Sequence, residues 1–120
     1  NEKIDACKKS PARVPNAITV AASDINDNFA SFSNVGTCVD IIAPGVNITS
    51  DWYVSDTSKN TISGTSMATP HVAGAIARYL ENGSSAAAVI STLISTSTPN
   101  KIKGNLRGTP NKLLYLDPKK

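Results

Sequence analysis

The chain has 120 residues, a net charge of +3 and 40% hydrophobic residues, enough for one domain with a modest core and no more. Its basic residues are scattered apart from a Lys119-Lys120 tail and lack interleaved aromatics, so the charge reads as a solvated face and no nucleic acid is expected as a partner. No apolar run approaches the length that crosses a bilayer and no leader pattern opens the chain, so neither a membrane nor a targeting segment is expected.

Asn1 to Pro11 is polar and turn-rich, reads as a loop, and carries Cys7. The β-branched run Ala17-Ile18-Thr19-Val20-Ala21-Ala22 predicts a strand covered on both faces of a parallel sheet. A polar loop follows from Ser23 to Asn28, and Phe29 to Gly36 is irregular. Val39-Asp40-Ile41-Ile42-Ala43 predicts a second buried strand, closed by Pro44-Gly45. Val46 to Thr49, Trp52 to Val54 and Thr61 to Ser63 are candidate hairpin strands, with Ser55 to Asn60 as the turn between the last two. A long helix then starts beside Ser66. Val72, Ala75, Ile76, Tyr79 and Leu80 recur on one face while Ala68, Ala73, Gly74 and Ala77 keep the others small, so burial on most sides is expected. Pro70 suits a first helical turn, whose amides lack intrahelical partners. The helix ends at Asn82-Gly83, where glycine suits a left-handed cap. A second helix begins at Ser84 or Ser85, either of which can cap it, turns Val89, Ile90, Leu93 and Ile94 inward, and stops by Pro99. The remainder, through Leu113 to Leu116, reads as a tail docked on the surface, and Asp24, Asp27, Asp51 and Asp56 as exposed loop charges. Strands followed by helices point to an α/β layer arrangement.

The stretch that carries chemistry is Gly64-Thr65-Ser66-Met67-Ala68-Thr69-Pro70-His71-Val72-Ala73-Gly74. It sets a serine at the N-terminus of an apolar helix, whose free amides and positive end suit an oxyanion forming at a carbon that Ser66 attacks. A serine hydroxyl needs a base, usually a histidine oriented by a carboxylate. The only histidine, His71, is five residues along the same helix, about 140° around it and about 7.5 Å further along the axis, so it reads as a residue packed and hydrogen-bonded in the core. The nucleophile elbow of an α/β-hydrolase also has a Gly-x-Ser-x-small pattern, but it needs an acid and then a histidine downstream, and none follows.

Those eleven residues resemble the nucleophile signature of subtilisin-like serine proteases in the proteinase K and aqualysin branch. Asp5-Ala6-Cys7, Ser10 to Pro15, the Ala17 to Ala22 run, Phe32-Ser33-Asn34 and Val39 to Gly45 extend the resemblance along the chain. It implies that residues 1–120 are the C-terminal part of a single catalytic domain with a three-layer α/β fold, a mainly parallel sheet and flanking helices. It also implies an endopeptidase acting on proteins or peptides, with Ser66 as nucleophile and the triad Asp and His upstream, so that this chain alone is expected to be inactive. Asn1 matches the asparagine that donates its side-chain amide to the oxyanion hole; without the resemblance it is a loop residue. Cys7 and Cys38 are free thiols or one disulfide on sequence alone, and the resemblance implies the disulfide and with it an oxidising, extracellular setting. Asp40 reads either as a buried carboxylate capping a turn or, by resemblance, as a ligand of a structural calcium with the carbonyls of Pro15 and Ala17. Asn47-Ile48-Thr49 and Asn82-Gly83-Ser84 are glycosylation sequons. The partners implied are the upstream half of the domain and a propeptide or proteinaceous inhibitor; no cofactor is needed for the chemistry. The competing expectation is a non-catalytic, subtilase-like segment with a structural or binding role.

Overall fold

The computed structural model describes residues 1–118. The C-terminal halves of the two apolar runs form adjacent parallel strands, β1 (Val20–Ser23) and β2 (Ile41–Pro44), in register from Val20 opposite Ile41 to Ser23 opposite Pro44, while Ala17 to Thr19, expected as strand, and Val39 and Asp40 precede them as loop. Alternation divides their side chains between two cores. Ala22, Ile41 and Ala43 face the helices, while Ala21 and Ile42 turn to the other side, against Ala6, Val39 and Ile102. Burial on both faces explains why these strands read as continuous apolar runs. Parallel strands need a long connection, and here residues 24–40 make it without a helix.

A hairpin follows, β3 (Ile48–Asp51) antiparallel to β4 (Lys59–Ile62), with Asp51 opposite Lys59 and the Thr49 and Thr61 hydroxyls 2.7 Å apart. Trp52 to Val54, expected as a strand, lie instead in the turn. Trp52 N–H donates to Ser58 O, and Ser58 Oγ donates to Trp52 O, so the chain reverses there with Tyr53 and Val54 in solvent.

Helix α1 (Thr65–Glu81) buries Ala68, Val72, Ala75 and Tyr79 against β1, β2 and a second helix, α2 (Ala86–Thr96). Burial on most sides is not observed. Ala73, Gly74, Ala77 and Leu80 are exposed, because the sheet and α2 cover only one side of α1. Pro70 is the sixth residue of α1, past the first turn, so the carbonyl of Ser66 receives no amide hydrogen from the residue four positions on. Gly83, at φ 88°, takes the expected left-handed turn after α1, and Ser85 caps α2 by accepting the Ala88 N–H. On α2, Val89 and Leu93 are buried, whereas Ile90, expected to face inward, is 42% exposed. The Tyr79 and Thr96 hydroxyls, 3.1 Å apart, join the two helices.

The C-terminal residues are not a surface tail. Strand β6 (Lys112–Leu113) lies between β2, to which it is parallel, and β5 (Thr98–Pro99), to which it is antiparallel, giving the order β1-β2-β6-β5. Asn111 braces this edge, its amide accepting from Ile102 N–H and donating to Ile102 O. Asp24 and Asp27, expected as fully exposed charges, are half-buried. Hydrogen bonds from the Asn28 side chain and backbone, then the Asn26 N–H, hold the Asp24 carboxyl below its usual range, so its contribution to loop order is present above the ordinary carboxylate pKa and is lost as pH falls. A disulfide joins Cys7, in the 3₁₀ turn Ala6–Lys8, to Cys38, just before β2. Closing a loop of 31 residues stabilises the fold by about 3–4 kcal/mol in the chain-entropy model.

Candidate active site

The floor of the site is Gly45, directly after β2. Its N–H donates to Ser23 O at the end of β1, and its carbonyl accepts the N–H of Gly64 at 2.8 Å. The carbonyl of Gly64 in turn accepts the N–H groups of Met67 and Ala68 in the first turn of α1. The sheet therefore sets the height of the helix start through two glycines. A Cβ on Gly45 would lie 2.7 Å from both Ala22 Cβ and Gly64 O, contacts that leave no room for a methyl group.

Ser66 is the second residue of α1 and is exposed. Its N–H makes no hydrogen bond to another described residue, as expected for an amide in a first turn. The preceding amide is taken: Thr65 donates both its N–H (3.0 Å) and its Oγ1 hydroxyl (2.9 Å) to Oδ1 of Asn1. Two donors on the oxygen fix which way the amide group of Asn1 faces, so Nδ2, which can only donate, points to the other side. The position a Cβ on Gly64 would occupy is 3.3 Å from Asn1 Nδ2 and 3.7 Å from Ser66 N. Having no side chain there leaves space that Asn1 Nδ2, the Met67 thioether and Ser66 N–H border. Beside Asn1, the Glu2 carboxyl is held below its usual range by a hydrogen bond from Lys9 and the lysine's charge.

His71 is not in the core. It is exposed, and its Nδ1 lies 2.8 Å from Met67 O, an acceptor, so Nδ1 carries the proton and Nε2 is left free. It lines a cavity of about 410 Å³ between α1 and the hairpin, together with Ile48, Trp52, Ile62, Met67 and Pro70. No described carboxylate orients the ring, so the described residues contain no oriented base for Ser66.

The other sequence-derived residues fall into separate places. Asp40 accepts the N–H of Thr19 on Oδ2 at 2.7 Å, which caps the entry to β1. Its Oδ1 and the carbonyls of Pro15 and Ala17 accept no hydrogen bond from described residues, and all three residues line one cavity of about 240 Å³. A carboxylate oxygen and two carbonyls without donors, on residues that line one small cavity, are the ligand type a hard cation takes. Groups of three or more His, Cys, Asp or Glu side chains that could hold a metal are absent among the described residues, so carbonyls would have to contribute. Asn47 and Asn82 are both exposed. Asn47 has φ 53° and donates its N–H to Ser63 Oγ, and Asn82 caps α1. Gly45 and Thr65 carry positioning roles that residue type alone did not reveal, because each acts through a contact with a residue distant in sequence.

The model of the subtilase family of peptidases matches residues 2–112. An extracellular serine proteinase of a Thermus species is 56% identical over 117 residues, which is 96% of this chain and 28% of that protein. A cuticle-degrading serine protease of Arthrobotrys oligospora is 49% identical over 96% of this chain and 29% of its own length. The crystal structure of a cold-adapted subtilisin-like serine proteinase superposes with a TM-score of 0.89 at 50% identity, over 96% of this chain and 42% of that one. The chain thus spans less than a third of the length of these curated relatives.

Because Gly45 is packed between the sheet and the loop that leads into α1, Gly45→Ala is expected to destabilise the protein by about 1–3 kcal/mol. Chemical denaturation measures it, and a midpoint equal to that of the parent would contradict the packing argument.

Proposed function

As the chain belongs to the subtilase family, we propose that it carries the nucleophile and the oxyanion-binding donors of a serine endopeptidase, as the C-terminal part of a single catalytic domain. The observation that carries the reading is the pairing of Asn1 with the head of α1: Oδ1 is held by Thr65, Nδ2 is turned the other way, and the unpaired Ser66 N–H borders the same open space beside Gly64.

In the reaction, Ser66 Oγ attacks the carbonyl carbon of a peptide bond and passes its proton to a histidine supplied, with its aspartate, by an upstream segment. The carbonyl oxygen becomes negative and takes hydrogen bonds from Asn1 Nδ2 and the Ser66 N–H, supported by the positive end of α1. Collapse breaks the C–N bond, the histidine returns the proton to the leaving amine, and water then hydrolyses the acyl-enzyme by the same steps. His71 takes no part, being held to Met67 O on the turn that follows Ser66. The upstream segment packs on the open face of α1, where Ala73, Gly74 and Ala77 are exposed and small and a Cβ added at Gly74 would meet nothing within 4 Å. A propeptide or proteinaceous inhibitor would bind at the same centre as protein substrates. The disulfide and the Thermus relative named as extracellular support secretion, and Asn47 and Asn82 would be available to glycosylation in a host that performs it. Pro15, Ala17 and Asp40 would hold a structural calcium, which ties the loop before β1 to the start of β2 and supplies no chemistry.

Casein hydrolysis by the protein joined to its upstream segment is expected to vanish in Ser66→Ala, and kcat is expected to fall about 10²–10³-fold in Asn1→Ala. The isolated chain is expected to react with a fluorophosphonate only very slowly. Undiminished hydrolysis by Ser66→Ala would assign the chain a structural role instead, and rapid labelling of the isolated chain would reveal a base within it.

Chelation of calcium is expected to lower the Tm of the parent protein and to have little effect on Asp40→Asn. Identical melting with and without chelator would remove calcium from the account.

A further inference from the structure

Asn1 is anchored at two ends, and only one of them is at α1. Its backbone belongs to a segment that runs beside residues 32–35, with Lys3 N–H donating to Phe32 O, Val35 N–H to Ile4 O and Ala6 N–H to Val35 O. At the tip of that segment the backbone contacts give way to one side chain. Oδ1 of Asn34 accepts the N–H of Glu2 at 2.9 Å and the N–H of Ile4 at 3.4 Å. Lys3 between them has φ 58°, a left-handed conformation that an ordinary residue adopts only under constraint and that turns alternate amide hydrogens toward one acceptor. Asn34 is itself tied to the sheet by its neighbour. Buried Ser33 accepts the Ala22 N–H of β1 on Oγ at 3.1 Å and donates to the Asn34 carbonyl at 3.0 Å. A hydrogen-bonded path thus runs from β1 through Ser33 and Asn34 to Glu2 and Asn1, and from Asn1 through Thr65 into α1.

We propose that Asn34 is a positioning residue for the oxyanion donor: its side-chain oxygen sets where the Asn1 backbone stands relative to the head of α1, and so where Nδ2 is presented beside Ser66. The inference rests on the oxyanion role proposed for Asn1. The groups Asn34 binds argue for position over stability. The shorter bond, from the Glu2 amide, is at the surface, where water can replace the lost acceptor, and the part-buried bond from Ile4 is long at 3.4 Å, so losing the acceptor costs the fold little. Catalysis is less forgiving, since a donor displaced by about 1 Å can lose about a hundredfold in rate.

The test is a double-mutant cycle on the active protein, with kcat and KM for a peptide substrate. Asn34→Ala is expected to lower kcat about 10–100-fold with KM within about twofold and little change in Tm. Asn34→Asp, which keeps an acceptor oxygen at the same place, is expected to recover most of the loss. In an Asn1→Ala background, Asn34→Ala is expected to cost less than about twofold more, because the donor it positions is gone. The same factor lost in both backgrounds, an unchanged kcat in Asn34→Ala, or an Asp variant as slow as the Ala variant would each overturn the proposal. If Asn1→Ala itself retains full kcat, the oxyanion assignment fails and this inference with it; if Asn1→Ala is slow and the two losses multiply, only this inference fails.

Discussion

The site depends on the pair of hydrogen bonds from Thr65 to Oδ1 of Asn1. A primary amide can face either way, and in water the two orientations differ little. Occupying its oxygen with the backbone and side-chain donors of one residue removes that freedom, and the NH₂ group is left with no choice of side. The same contact satisfies an amide at the N-terminus of α1 that would otherwise lack a partner, so orientation of the donor and capping of the helix are one event. Ser66 follows immediately, and its own N–H has no partner among the described residues. In a site with oriented donors, little rearrangement is needed when negative charge appears.

That contact holds only because segments far apart in sequence meet at fixed heights. Gly45 connects the end of β2 to the loop before Ser66 with no side chain between them, and the buried alanines Ala22 and Ala68 let the helix start lie close against the sheet. The Cys7–Cys38 disulfide and the Asn34 amide hold the segment that carries Asn1 against the loop entering β2. Small residues predominate where backbone must approach backbone, and larger ones, Ile41, Leu93 and Tyr79, fill the space farther from Ser66.

Periodicity and capping chemistry were enough for α1, α2, β1 and β2, since each is long or apolar enough for its own residues to decide. Ser85 and Gly83 ended up where cap preferences put them. Strand β6 was not readable, because two residues between Asn111 and Leu114 have no local pattern and become a strand only when β2 and β5 supply partners. Trp52 to Val54 have β-forming side chains, yet Ser58 closes a turn over them. The apolar content of α1 suggested burial all round, but composition does not say what lies on the other side of a helix. His71, read from the sequence as a core residue, lies at the surface, because the sheet and α2 cover only the opposite side of α1. Cysteine pairing and the meeting of Asp40 with Pro15 and Ala17 came from family resemblance; spacing alone left both open. Asn34 was visible as part of a motif, but its contacts with Glu2 and Ile4 span about thirty residues and no local rule anticipates them.

The central claim is that Asn1 Nδ2 and the Ser66 N–H bind one oxygen of a tetrahedral adduct formed on Ser66. A crystal structure of the protein, with its upstream segment, bound to a peptidyl boronic acid tests it most directly. Boron is expected bonded to Ser66 Oγ, with one boronate oxygen about 2.7–3.1 Å from both nitrogens. An adduct on another residue, or one whose oxygen turns away from Asn1 and meets different donors, would contradict it.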